Sequence, residues 1–409
     1  MVAILGYSRE QIFTAVKGMY SAVAERPESD FHFPVGDAAC RLLGYPPEQI
    51  AELPAPLRKS FAGVGYPFHA DAINLGDTVL DIGAGAGTDA MIASQVVGNV
   101  GQVVAMDLTP AMTRKLRHTV TEAGIANVDV VQATAERIPL SDGSVDSITS
   151  NGVLNLVPNK RQAVAEMFRV LRPHGQLQIA DVVIDRPVSV DCHTDPRLWV
   201  ECVVGATVED DFLTLFRDAG FEDVRVLRRL DYFSHSPSEQ TREVAASFGA
   251  RSVEVTMRRG PQAPSRATQF FRRINPVRLL ASLWRRGFMG VASMAMAVLA
   301  CYGTLAALGL LALLGMSLAL DETIWAGAIA AFSVLTVLAI APGVLQHRAF
   351  GPAALAVAGA GAILYAVLAN YNALVELAGF ILLGGSVWWD IRLRRREEAR
   401  ILGLTRNGN

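Results

Sequence analysis

Between Phe288 and Trp389 the chain carries only four formal charges, Asp321, Glu322, Arg348 and Glu376. No other feature constrains the fold as tightly. Four apolar segments can be read there, at 288–314, 323–345, 350–369 and 372–389. Each approaches or exceeds the roughly 20 residues that cross a hydrocarbon core as a helix. Nearly all of the 37 Lys and Arg and 39 Asp and Glu residues lie outside this stretch. The sequence therefore predicts a water-soluble domain followed by an all-α, four-span membrane domain.

Flanking charge sets the expected orientation. Arg272, Arg273, Arg278, Arg285 and Arg286 precede the first span, and Arg392, Arg394, Arg395 and Arg396 follow the last. His347 and Arg348 occupy the middle connection, and Asp321–Glu322 and Asn370–Asn372 the other two. Cationic loops stay on the cytosolic side, so both ends and the middle loop are expected in the cytoplasm, with the protein multi-pass in the cell (inner) membrane. Segment 266–286 interleaves arginines with Phe270, Phe271, Leu279, Leu280 and Trp284. That pattern suits an amphipathic helix on anionic lipid, and equally a basic linker. Glu376 should either pair inside the bundle or reach the interface.

Net charge of −2 and a pI near 6.4 provide no basic field for nucleic acid. The four cysteines, Cys40, Cys192, Cys202 and Cys301, form no CxxC pair, which argues against a structural zinc site. The opening MVAILGYSREQIFTAVKGMY lacks the pattern of a secretory signal.

Residues 75–258 alternate strand-like and helix-like stretches. Strands are expected at Thr78–Ile82, Gln102–Asp107, Val128–Gln132, Val145–Ser150, Gln176–Val183, Val224–Asp231 and Ser252–Met257, with helices near 88–97, 110–123, 160–171 and 208–219. This is the signature of an α/β doubly wound, mostly parallel sheet. The last two strands suggest an antiparallel edge, joined directly or through a helix at Ser238–Phe248.

VLDIGAGAGTD at 79–89 is the most informative motif. A buried strand delivers Asp81, and Gly83, Gly85 and Gly87 turn the chain into a helix whose first N–H groups are free. A dinucleotide-binding turn reads G-x-G-x-x-G, whereas this one reads G-A-G-A-G-T. The next strand ends in Asp107, placed to accept both hydroxyls of a ribose.

These words, with QATAERIPLSDGSVDSITSNGVLNL (132–156) and FRVLRPHGQLQIAD (168–181), resemble the class I S-adenosylmethionine-dependent methyltransferases, a Rossmann-like family. The resemblance implies S-adenosyl-L-methionine as cofactor. It would place Asp81, Gly83, Gly85 and Gly87 around the methionine end, Asp107 and Leu108 at the ribose and adenine, Ala135 and Glu136 beside the adenine ring, and Asn151 closing the site. FAGVGYPF (61–68), GAGTDA (85–90), MDLTPAM (106–112), SNGVLNLVPNK (150–160) and WVECVVGATVEDDF (199–212) resemble the arsenite methyltransferase-like subgroup. Members of it would grip trivalent arsenic with three cysteines. Here Cys202 matches one, Val64 and Gly152 stand at the other two, and Cys192 is a nearby substitute.

The four spans, the QHR connection at 346–348 and the closing GGSVWWDIRLRR at 384–395 resemble the MerC-type mercury transport proteins. That family carries a cysteine pair in the first span, where this chain has Cys301 alone. The expected organisation is a helical lid region at 1–60, the methyltransferase domain at 61–260, a basic linker at 261–287, the membrane domain at 288–390 and a basic cytosolic tail at 391–409. The function these features imply is methyl transfer at the cytosolic face of the membrane to a soft acceptor such as arsenite, a thiol, a selenol or a heavy metal. Two other readings stay open. One is methylation of a membrane lipid or quinone, and the other a metal transporter or sensor whose fold only binds cofactor. A carbon or oxygen acceptor would need a base, with His32, His69, Asp181 and Glu201 as candidates. Oligomeric state is not encoded legibly.

Overall fold

The computed structural model describes residues 8–188, 199, 203–265, 268, 276–285, 287–303 and 322–402. Cys192, His193, Glu201 and Cys202 lie outside them, as does the second half of the first expected span. The chain divides into two compact units, Met1–Arg272 and Arg273–Asn409.

The first unit begins with four helices, α1 (Arg9–Glu25), α2 (Asp37–Leu43), α3 (Pro47–Glu52) and α4 (Ala55–Lys59). A capping box fixes the start of α1, Ser8 accepting from the Gln11 N–H and the Gln11 side chain answering the Ser8 N–H. The α/β core then follows: β1 (Thr78–Ile82), α5 (Thr88–Val97), β2 (Gln102–Asp107), α6 (Pro110–Glu122), β3 (Val128–Gln132), β4 (Val145–Asn151), α7 (Lys160–Val170), β5 (Leu171–Ile184), β6 (Thr207–Val208), a helix at Glu209–Ala219, β7 (Phe221–Leu230), a helix at Glu239–Phe248 and β8 (Arg251–Arg259).

The strands form one sheet in the order β3-β2-β1-β4-β5-β8-β7, with β6 beside β5. β1 to β5 run parallel, whereas β8 is antiparallel to both β5 and β7. The antiparallel edge was expected, and the Ser238-capped helix joins its two strands. Strand order reverses across β1, between β2 and β4. In an open α/β sheet this places a crevice beyond the carboxyl ends of those strands. Leu80, Ile148, Leu177, Ile179, Phe216 and Val255 are among the side chains that close the core.

One buried polar cluster holds the loop after β4. Asp181 accepts the N–H groups of Leu154 (2.7 Å) and Asn155 (3.1 Å). Lys160 Nζ donates to the carbonyls of Asn155 and Val157 and lies over the Trp199 ring. Burial pushes the Asp181 carboxyl up to about 6 and the Lys160 ammonium down to about 7. Three backbone N–H groups, those of Leu154, Asn155 and Val182, thus occupy Asp181, which serves as a loop anchor.

The second unit is helical and apolar. Its helices include Pro276–Arg285, Met289–Val298, Glu322–His347, Gly351–Leu368 and Ala373–Ile401. Among the described residues, Ala326–His347, Gly351–Leu368 and Ala373–Ile401 are long and apolar enough to cross a membrane, and Met289–Tyr302 is a shorter apolar stretch. The last helix runs through the arginines to Ile401, so the first part of the expected tail is helical. Glu376 is buried and accepts from Cys301 Sγ at 2.8 Å. His347 and Arg394 both hold Asp390, at 3.0 and 2.7 Å.

Truncating Asp181 would strand backbone donors and the Lys160 cation together. Asp181→Ala is expected to cost about 3–5 kcal/mol, read as a drop in the unfolding midpoint of the detergent-solubilised chain. An unchanged midpoint would show that the cluster does not anchor the loop.

Candidate functional site

The crevice at the strand-order reversal holds a cleft that is partly open to solvent, a common setting for small-molecule sites. Asp81, Gly83, Gly85, Asp107, Leu108, Ala135 and Asn151 all line it. The fold thus brings together residues spread over seventy positions of sequence, because the carboxyl ends of β1, β2 and β4 meet there.

The glycine turn is built by backbone conformation. Gly83, Gly85 and Gly87 have φ of +73°, +56° and +104°, values that a β-carbon makes costly. A β-carbon at Gly83 would strike Val153, and one at Gly87 would strike Leu116, whereas Gly85 faces open space. Gly87 lies outside the cleft lining and serves as the residue before α5.

Three carboxylates converge on this turn. Asp107 accepts the N–H groups of Gly85 (2.9 Å) and Thr109 (2.7 Å). Asp81 is 1% exposed and its Oδ2 has no partner. Asp89, in the first turn of α5, accepts from Tyr45 Oη at 2.6 Å and from Asn151 Nδ2 at 2.9 Å. Burial raises all three: Asp81 well above the usual range, with Asp89 and Asp107 adding repulsion, Asp89 to about 6, and Asp107 upward. An orphaned, buried carboxylate oxygen beside two more acids calls for a cation. A cofactor bearing a sulfonium and an ammonium fits that demand, and a ribose fits Asp107.

Asn151 organises the facing wall. Its Oδ1 accepts from Val64 N (2.8 Å) and Gly65 N (3.3 Å), and the two hydrogens of its Nδ2 are shared among Gly65 O, Tyr45 Oη and Asp89. Phe13, Val16 and Tyr20 of α1 add an apolar side to the cleft.

Sequence reasoning missed Asp89 and Tyr45. Asp89 stood inside the quoted motif, while Tyr45 carried no local signal. Glu136 is placed differently from the expectation: its carboxylate is outside the lining and receives Arg9 Nε (2.6 Å) and Asn159 N (2.7 Å). Val64 and Gly152 adjoin, a β-carbon on Gly152 falling 3.4 Å from Val64 Cγ1. Cys40 is buried, and its burial together with Asp89 and Asp37 pushes the thiol up to about 12. Of the base candidates, His69 pairs with Glu254 at 2.7 Å, and neither His69, His32 nor Asp181 lines the cleft.

A family model described as a methyltransferase domain matches residues 73–220, and one described as MerC mercury resistance protein matches 288–392. An arsenite methyltransferase of Halobacterium salinarum is 38% identical over 184 residues, covering 45% of this chain and 47% of the relative. A ubiquinone/menaquinone biosynthesis C-methyltransferase of Escherichia coli is 31% identical over 180 residues, covering 39% of this chain and 72% of the relative. The solved structure of an arsenic(III) S-adenosylmethionine methyltransferase from Chlamydomonas reinhardtii is 32% identical, with a TM-score of 0.45, covering 57% of this chain and 76% of the other. The chain spans about half the length of the bacterial and archaeal arsenite methyltransferases it matches.

Protonating Asp89 removes a negative charge from the cleft, so S-adenosylmethionine binding should weaken as pH falls through about 6, by roughly tenfold per pH unit at most. Unliganded stability runs the other way: a carboxyl raised by burial contributes stability present below its unfolded value and lost as pH rises through about 6. Calorimetric titration should show a smaller acid loss for S-adenosylhomocysteine, which lacks the sulfonium charge. Equal losses for both ligands would contradict the electrostatic assignment.

Proposed function

Because the chain belongs to the S-adenosylmethionine-dependent methyltransferases, with a MerC-type segment behind the enzyme fold, we propose that it methylates a soft nucleophile at the cytosolic face of the cell membrane. The acceptor class is a trivalent metalloid such as arsenite, or a thiol or selenol. The carboxylate-lined cleft, with its unpartnered Asp81 oxygen, is the observation that carries the reading.

The bound cofactor supplies an activated methyl group on a sulfonium. The protein has to bind, orient and keep water out. Asp81 and Asp89 neutralise positive charge at the glycine turn, and Asp107 receives ribose hydroxyls. Asn151 fixes the Val64–Gly65 backbone against that turn. Phe61, Val153 and Leu156 make the cleft apolar beside the acids. A metalloid lone pair or a thiolate attacks without giving up a proton, so it needs no base. That suits a cleft lined by none of His32, His69 and Asp181, in which Asp89 is already engaged by Tyr45 and Asn151. On this reading Cys202, with Cys192 near it in sequence, supplies thiol for the acceptor. Val64 and Gly152 cannot ligate, so the grip on arsenic is weaker than a three-thiolate site would give.

A lipid or quinone acceptor is the second reading. The apolar wall and the likeness to the Escherichia coli C-methyltransferase favour it.

Membranes from cells expressing the full chain, given methyl-labelled S-adenosylmethionine, decide between the two. Arsenite, Hg(II), selenite or a small thiol is added in turn. We expect label in volatile or aqueous products only when a soft acceptor is present, falling at least about tenfold in Cys202→Ser, which is ~1.4 kcal/mol. Label in the organic extract with nothing added would transfer the assignment to a lipid or quinone. No transfer under any condition would leave a cofactor-binding transporter or sensor.

A further inference from the structure

The helix Pro276–Arg285 does not line the cleft, and its sequence, PVRLLASLWR, is strongly two-sided. Leu280 and Trp284, one turn apart, are both more than half exposed. In sequence, Arg278 and Arg285 are seven residues apart, two helical turns, and out of step with Leu280 and Trp284. A large apolar pair left facing outward beside two cations needs an explanation.

Continuity of the chain supplies it. The Gly287 N–H bonds the Trp284 carbonyl and the Phe288 N–H the Leu283 carbonyl, closing the helix. Gly287 has φ +70° and turns the chain directly into the apolar helix Met289–Val298. A β-carbon on Gly287 would lie 3.2 Å from Arg394 Nη1. The turn therefore sits at the level of Arg394 on the last helix. That level is marked independently: Trp388 and Trp389 are exposed one turn or so before it, and Arg392 lies over the Trp388 ring at 5.0 Å. Exposed tryptophans followed by arginines are where a spanning helix meets headgroups. The short helix thus ends at the depth where the hydrocarbon gives way to phosphate.

We propose that Pro276–Arg285 is an anionic-phospholipid-binding surface, lying in the plane of the bilayer with Leu280 and Trp284 in the acyl boundary and Arg278 and Arg285 toward lipid phosphates. The apolar pair supplies depth and the arginines supply preference for anionic headgroups.

The test uses full-length protein in nanodiscs of phosphatidylcholine, with or without phosphatidylglycerol. A nitroxide on Leu280→Cys reports access by oxygen, which concentrates in lipid, and by a water-soluble nickel chelate, with unsubstituted protein as the labelling blank. Oxygen access should exceed nickel access, and phosphatidylglycerol should raise that preference. The increment should fall by roughly fivefold per arginine lost in Arg278→Gln and Arg285→Gln, and should shrink with salt. Quenching of Trp284 by brominated lipid, taken as the difference from Trp284→Phe, gives the same depth without a label. Free access of the nickel chelate in both lipids would make the segment a solvated linker and overturn the proposal. Shielding from both reagents, indifferent to lipid, would place the helix against protein and overturn it equally.

Discussion

The side-chain amide of Asn151 is the interaction on which the cleft depends. It ends β4, yet its five hydrogen-bonding contacts reach α5 through Asp89, the N-terminal helices through Tyr45, and the Val64–Gly65 backbone. A carboxamide is suited to this because it donates and accepts at once. It satisfies two backbone N–H groups while also steadying a buried carboxylate. Without it, the wall facing the glycine turn would have unpaired donors in a site that excludes water. The three acids could then relax only by protonation, which removes the attraction for a cation.

How much of this was legible in the sequence follows from how local each feature is. Asp81, the three glycines and Asp107 could be read because a strand, a tight turn and the next strand impose them within one short βαβ unit. The mostly parallel sheet came with them, but its strand order did not, since several arrangements share that alternation. Tyr45 was invisible, because only tertiary packing carries it to Asp89, across 44 positions. Glu136 was read from its place in a motif, but Arg9 on α1 draws its carboxylate away from the cleft. In the second unit the apolar runs were plain. The extension of the last helix to Ile401 was not, because a helix does not stop where hydrocarbon does, and arginine is a good helix former.

Inside the apolar unit, polar groups meet in pairs. Cys301 reaches Glu376, Thr336 Oγ1 reaches Ser293 Oγ at 3.0 Å, and Asp390 is held from two sides. With no water available, such groups must satisfy one another. Gly343 makes the last of these possible, since a β-carbon there would overlap Asp390 and Arg394. The same economy explains the close approach of Gly359 and Gly379, each lying against the other's helix backbone.

Gly152 sets a limit on how this site could change over evolutionary time. Its φ of +70° is a left-handed conformation, and a side chain there costs roughly 1–2 kcal/mol. A cysteine introduced at 152 would therefore have to bear backbone strain before it could contribute a ligand bond. Val64, by contrast, does not have a left-handed backbone and could be exchanged for cysteine by side chain alone. On the soft-acceptor reading, a richer thiolate set would be built at position 64 with less strain than at 152. At position 152 a torsion angle, more than side-chain volume, limits what the chain could carry.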